Sequence, residues 1–132
     1  MREHKYRAWD DEINRMVFPY LIDFNIGWAY YFDYKDETQR VKVSNLLQFT
    51  GLRDTKEIDI YEGDLMRHGV YGIGEVMLEN GCYIIKFIPG TGELPPRETP
   101  HSIYLCYVAS KERVIGNRYE NPELIKELRR GV

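Results

Sequence analysis

The sequence predicts a mainly β protein, α+β only at the margin, built of coiled, strongly twisted antiparallel sheets with one short C-terminal helix. Three observations point there. Apolar residues alternate strictly from Ile22 to Tyr34. An Asn80-Gly81 pair sits between two apolar runs. Aromatics reach 14%, with 11 tyrosines, and aromatic side chains suit pleated, half-buried surfaces.

The elements follow in order. Lys5-Tyr6-Arg7-Ala8-Trp9 and Met16-Val17-Phe18 flank the acidic stretch Asp10-Asp11-Glu12, and Pro19 stops the second run. Two short strands paired as a hairpin account for them. From Ile22, the residues Phe24, Ile26, Trp28, Tyr30, Phe32 and Tyr34 share one parity, while Asp23, Asn25, Gly27, Ala29, Tyr31 and Asp33 share the other. Period two places the first set toward the core and the second toward solvent. The run exceeds an ordinary strand, so a turn or bulge is expected near Asn25 to Gly27. Asp36 to Arg40 reads as a polar turn. In Val41 to Phe49, Leu46-Leu47 suits either a strand or a short helical turn.

Gln48 to Met66 joins the two apolar-periodic regions and carries two glycine turns, Thr50-Gly51 and Glu62-Gly63-Asp64. Asn80-Gly81 is the preferred pair for a two-residue type I′ hairpin. It sets Glu79 opposite Cys82. Leu78 then meets Tyr83, Val76 meets Ile85 and Gly74 meets Phe87 on one face. Met77 meets Ile84 and Glu75 meets Lys86 on the other. Pro89 to Pro100, with four prolines and two glycines, is an exposed loop. Ile103 to Val108 is a further strand, and Val114-Ile115-Gly116-Asn117 a short apolar segment ending in a turn. Asn121-Pro122-Glu123 opens the helix, with Leu124, Ile125 and Leu128 inward and Gly131 at its end. The order of Gly63-Asp64, a strand and a tight hairpin is also that of many small SH3-like barrels, an analogy of architecture.

The 132 residues suit a single domain, 1–132. Eighteen basic and 21 acidic residues, interspersed, leave a net charge of −3, which supplies no broad footprint for nucleic acid or an anionic membrane. Apolar runs are too short to span a bilayer. The Met-Arg-Glu-His start lacks a signal pattern, so Cys82 and Cys106 are expected as free thiols in a cytoplasmic, reducing compartment.

Three blocks carry a family resemblance: Lys5 to Asp10, then Phe49 to Asp54 with Ile60 to Leu65, then Val114 to Leu124. In order and spacing they resemble the YopX family of phage and prophage proteins over nearly the whole chain. The resemblance implies a small, mainly β fold from bacteriophages of Gram-positive hosts. It brings no activity, cofactor or catalytic residue. Relatives tend to carry Asn-Gly where this chain has Lys56-Glu57, which puts the hairpin geometry there in question.

The candidate chemistry is sparse. Glu57, Asp59, Glu62 and Asp64 could gather a hard cation on a strand face, but Asp64 capping its own turn accounts for that pattern without a metal. Gly72-Ile73-Gly74 lacks the third glycine and the helix of a phosphate loop. His4, His68 and His101 are scattered without nucleophile partners, so no catalytic, metal or cofactor residue is assigned. Arg2, Lys5, Arg7 and Trp9 interleave charge and rings as a nucleic-acid stacking platform would, with Lys111, Arg113, Arg118, Tyr107 and Tyr119 as a second basic edge. Tyr31 and Tyr34 are candidate protein contacts, Tyr31 because it falls on the polar parity. The expected function is a non-enzymatic module binding a host or phage protein. A nucleic-acid-binding accessory protein is the alternative, and exposed strand edges leave a homo-oligomer open.

Overall fold

The computed structural model describes residues 5–123 and 125. Arg2 and His4 lie outside the described residues, as does most of the C-terminal helix segment. The architecture is mainly β with antiparallel sheets, and the chain divides into two compact units, Met1–Phe49 and Thr50–Val132.

In the first unit β1 (Tyr6–Asp10) pairs with β2 (Arg15–Val17), setting Ala8 opposite Val17 and Asp10 opposite Arg15. This is the hairpin read from the sequence, but Asp10 belongs to the strand and is buried. β3 (Leu21–Asp23), β4 (Trp28–Phe32) and β5 (Thr38–Lys42) form a three-stranded meander. The expected break falls at Gly27, where the Gly27 amide reaches the Asp23 carbonyl at 2.9 Å. Asp23 Oδ1 also accepts the Asn25 and Ile26 amides. The next turn is organised by Asp33, whose Oδ1 accepts the Lys35 and Glu37 amides; Arg40 already lies in β5.

In β3 the facing is as expected, with Ile22 packed on the core and Asp23 sharing the face of Trp28, but in β4 it is the reverse. Ala29 and Tyr31 enter the core with Ala8, Val17 and Val41, while Phe24, Ile26, Phe32 and Tyr34 are exposed. Alternation reveals that two faces differ, and size and hydrogen bonding decide which one turns inward. Ala8 and Ala29, both fully buried, share one cluster, and the Tyr31 hydroxyl donates to Asp10 Oδ2.

Val43–Asn45 makes a 3-10 turn, and β6 (Leu46–Arg53) follows, so Leu46-Leu47 take the strand reading and the helical turn lies just before them. Its first residues pair with β1, Leu47 opposite Arg7. Gly51 does not turn the chain. It lies within β6 at φ +84, a local twist in a continuing strand.

In the second unit Thr50 Oγ1 donates to the Ile60 carbonyl of β7 (Asp59–Tyr61) at 2.8 Å. Gly63 supplies the turn into β8 (Asp64–His68), at φ +87. β9 (Gly72–Glu79) and β10 (Cys82–Phe87) pair in the register read from Asn80-Gly81, including Leu78 with Tyr83 and Val76 with Ile85. Both loop residues take positive φ, as a type I′ turn requires. Glu75 lies opposite Lys86 but makes its ion pair with Arg118, 3.4 Å away.

The proline-rich loop is tied down at its start. Thr91 Oγ1 accepts the Ile73 amide and donates to the Ile88 carbonyl. The expected strand Ile103 to Val108 is corrected: β11 covers Ser102–Tyr104, and Leu105–Tyr107 is a 3-10 turn that buries Leu105. β12 (Arg113–Asn117) returns to pair with β8. Gly116 is not the turn residue expected. It sits in β12 where the register shifts, and an added Cβ would lie 2.2 Å from Asn121 Oδ1. Ile60, Met66, Val76, Ile85 and Leu105 form the core of this unit.

Candidate interaction surface

The inward turn of Ala29 and Tyr31 leaves the opposite face of the β3-β4-β5 meander carrying aromatic side chains. Residues directly opposite in antiparallel strands share a face. Trp28 therefore shares the outer face with Asp23 and Lys42, Tyr30 with Leu21 and Arg40, and Phe32 with Thr38. Tyr20 joins them, its ring stacked on Phe32 at 4.3 Å and its hydroxyl 3.3 Å from Thr38 Oγ1. The Arg40 guanidinium lies 4.0 Å from the centre of the Trp28 ring, a cation–π contact. The adjoining turns add Phe24, 66% exposed, and Tyr34, 88% exposed.

A groove of about 310 Å³ opens beside it, lined by Ile13, Phe18, Phe32 and Tyr34, with Arg15 and Asp33 among its polar groups. Asp33 is held below the ordinary carboxylate range, first by the Glu37 amide and then by Gln39 and Lys35. Tyr31 forms part of the lining, yet it is only 5% exposed and its hydroxyl is given to Asp10. Burial, reinforced by that carboxylate, pushes its phenol far above the usual value. The outward placement expected for Tyr31 is thus corrected; Tyr34 is the exposed tyrosine of the pair.

The other predicted residues are dispersed. Trp9 is 8% exposed, so its indole is core, with Lys5 exposed and Arg7 half-buried beside it. Arg118 pairs with Glu75 and lies over the Tyr119 ring at 5.1 Å. Asp64 Oδ2 accepts the Tyr61 amide at 2.8 Å, while Asp59 pairs with Arg53 Nε at 2.8 Å. Glu57 is an exposed turn residue. Among the described residues no three His, Cys, Asp or Glu side chains are grouped to hold a metal. His68 has a turn role, its Nδ1 accepting the Val70 and Tyr71 amides at 3.1 Å and its ring stacked on Tyr71. Cys82 and Cys106 are exposed free thiols. A second groove, about 460 Å³, lies by the β10-β11 edge among Cys82, Ile84, Tyr104 and Tyr107.

The apolar outer face was missed because apolar parity was equated with burial. Ala29 amid aromatics was the available signal, since a lone small residue on one parity permits close packing on that side.

These features define a class: an antiparallel, mainly β protein with a solvent-facing aromatic sheet. The chain belongs to the YopX family; the family model described as YopX protein matches residues 5–126. No curated protein matches. Among solved structures it is similar to protein yopX from Bacillus subtilis, with 21% identity, a TM-score of 0.60, and coverage of 90% of this chain and 95% of that one. It is also similar to protein EF1440 from Enterococcus faecalis, with 22% identity, a TM-score of 0.54, and coverage of 92% and 96%. At these identities the likeness speaks to the fold. No helix among the described residues is long and apolar enough to cross a membrane.

Proposed function

We propose that the protein is a non-enzymatic interaction module of a phage or prophage, acting in the host cytoplasm on a host or phage protein. The observation that carries this reading is the outer face of β3-β4-β5, where Phe24, Ile26, Phe32 and Tyr34 are exposed while Ala29 is buried. Burying one such side chain is worth about 1.5–3 kcal/mol, so the face holds association energy that folding leaves unused. Tyrosine, tryptophan and arginine, here Tyr30, Trp28 and Arg40, are also the residue types that dominate interface hot spots.

The nucleic-acid alternative through Arg2, Lys5, Arg7 and Trp9 has less support, because the buried Trp9 offers no ring for stacking. For the second unit we favour a small SH3-like barrel. The β8-β9-β10 meander, the 3-10 turn Leu105–Tyr107 and the return of β12 to β8 support that architecture.

The test is affinity capture of tagged protein from phage-infected host lysate after nuclease treatment, comparing wild type with a Phe24→Ser, Tyr34→Ser variant. A discrete protein held by wild type and released by the variant, at unchanged thermal stability, supports the module. Equal capture by both removes this face from the function.

A further inference from the structure

We infer that the outer face of β3-β4-β5 is covered by a second copy of this chain, through a two-fold axis lying between the two sheets and running across their strands. This rests on the reading of that face as an interaction surface and names its occupant.

The argument begins with the distribution of charge along the strands. Arg40 and Lys42 of β5 lie opposite Tyr30 and Trp28, in the middle and at one end of the face, and the Arg40 guanidinium reaches toward that end over the Trp28 ring. The connecting turn at the other end carries Asp33, Asp36 and Glu37 against the single cation Lys35. Between them run Leu21, Tyr30 and Phe32. The β5 side of the face is therefore polarised, with Arg40 and Lys42 toward the Trp28 end and the acidic turn beyond Phe32, while Asp23 of β3 offsets part of the positive charge.

A two-fold axis across the strands reverses their direction and leaves their lateral order unchanged. It lays β5 of one copy antiparallel over β5 of the other. Arg40 and Lys42 then approach the acidic turn of the opposite copy, and the same contact occurs twice by symmetry. The axis also brings Phe24 and Ile26 of one copy toward Tyr20 and Phe18 of the other, apolar against apolar. Homodimer interfaces are more apolar than transient ones, which suits a face carrying Leu21, Phe24 and Ile26 beside its aromatic rings.

Polyanions fit less well. Asp23 stands on the face across Trp28, and the acidic turn closes the other end, so a phosphate backbone tracking the strand would meet carboxylates at both ends. A copy of the same chain brings the cations of β5 to the acidic turn and leaves Asp23 at the β3 edge, away from that turn.

The experiment is sedimentation equilibrium of the full chain in four preparations: wild type, Arg40→Glu with Lys42→Glu, Asp36→Lys with Glu37→Lys, and an equimolar mixture of the two variants. Wild type is expected as a dimer at micromolar concentration, and each variant alone weakened by at least about tenfold. Mixing restores dimers, because both contacts become attractive again. Lys42→Glu paired with Glu37→Lys repeats the test without disturbing the Arg40–Trp28 stack. A monomeric wild type, or variants that associate as wild type does, overturns the inference. Should the chain be monomeric yet still capture a protein through Phe24 and Tyr34, the second copy falls and the interaction module stands. Binding of a single-stranded oligonucleotide by monomeric wild type, lost on Arg40→Glu with Lys42→Glu, would overturn it in favour of nucleic acid.

Discussion

Glu57 shows how one residue can be held against its own preference. It occupies φ +62, the left-handed region that favours glycine, yet the turn closes, with the Asp54 amide on the Ile58 carbonyl and the Glu57 amide on the Asp54 carbonyl. Asp54 explains this. It is 4% exposed, its Oδ1 accepts the Lys56 and Ile58 amides, and its Oδ2 accepts the Val114 amide at 2.9 Å. Those bonds outweigh a left-handed penalty of about 1–2 kcal/mol. Glu57→Gly is therefore expected to stabilise the protein by about 0.5–1 kcal/mol after glycine's entropic cost, read from urea unfolding. Tyr31 gives a second expectation. Burial first, then Asp10, raises its folded pKa above the ordinary 10.0. Below that value both folded and unfolded states keep the proton. Above it the unfolded chain ionises first, so stability falls as pH rises past 10.0 toward the folded value. Tyr31→Phe should flatten this alkaline loss while costing about 1.5–3 kcal/mol at neutral pH, since Asp10 loses its buried donor. Chemical denaturation across pH checks both.

At the scale of elements, ladders and loops depend on different bonds. Gly51 lies in β6 with nothing within 4 Å of an added Cβ, so Gly51→Ala meets only the strain of its positive φ. A loss of about 1 kcal/mol is expected. Thr91 is the contrasting case. Its hydroxyl both accepts from Ile73 and donates to Ile88, so Thr91→Val strands a partly buried amide and a carbonyl. That should lower stability by about 1–3 kcal/mol and raise hydrogen exchange at the Ile73 amide. The β9-β10 register was legible down to single pairs because Asn80-Gly81 dictates which residues face each other. The end of β11 was not legible. Ile103 to Val108 is apolar throughout, but Leu105 is buried by a 3-10 turn rather than by extending the strand. Local hydropathy does not distinguish those two routes.

For the whole molecule, a net charge of −3 opposes close approach of copies only weakly, whereas the aromatic face favours it. If a second copy covers that face, folding and association are linked, and the melting temperature should rise with protein concentration. Differential scanning calorimetry over a hundredfold concentration range, on the order of a micromolar upward, reads this directly; a constant melting temperature would count against a dimer. The Arg40→Glu, Lys42→Glu variant should lose the dependence.

What the sequence by itself determined was the β character, the antiparallel pairing of neighbouring strands, the Asn80-Gly81 register and the family. Each rests on short-range chemistry: period-two alternation, turn residues at fixed offsets, and words of a few residues. Only the tertiary structure decided which face of β4 turned inward. That choice rests on Ala8 and Ala29 sharing one buried cluster, and on a phenol meeting a carboxylate 21 residues away. Such contacts join segments distant in the chain, and no local pattern encodes them. The candidate surface emerged with that choice, because burying Ala29 and Tyr31 is what leaves Phe32 and Tyr34 in water.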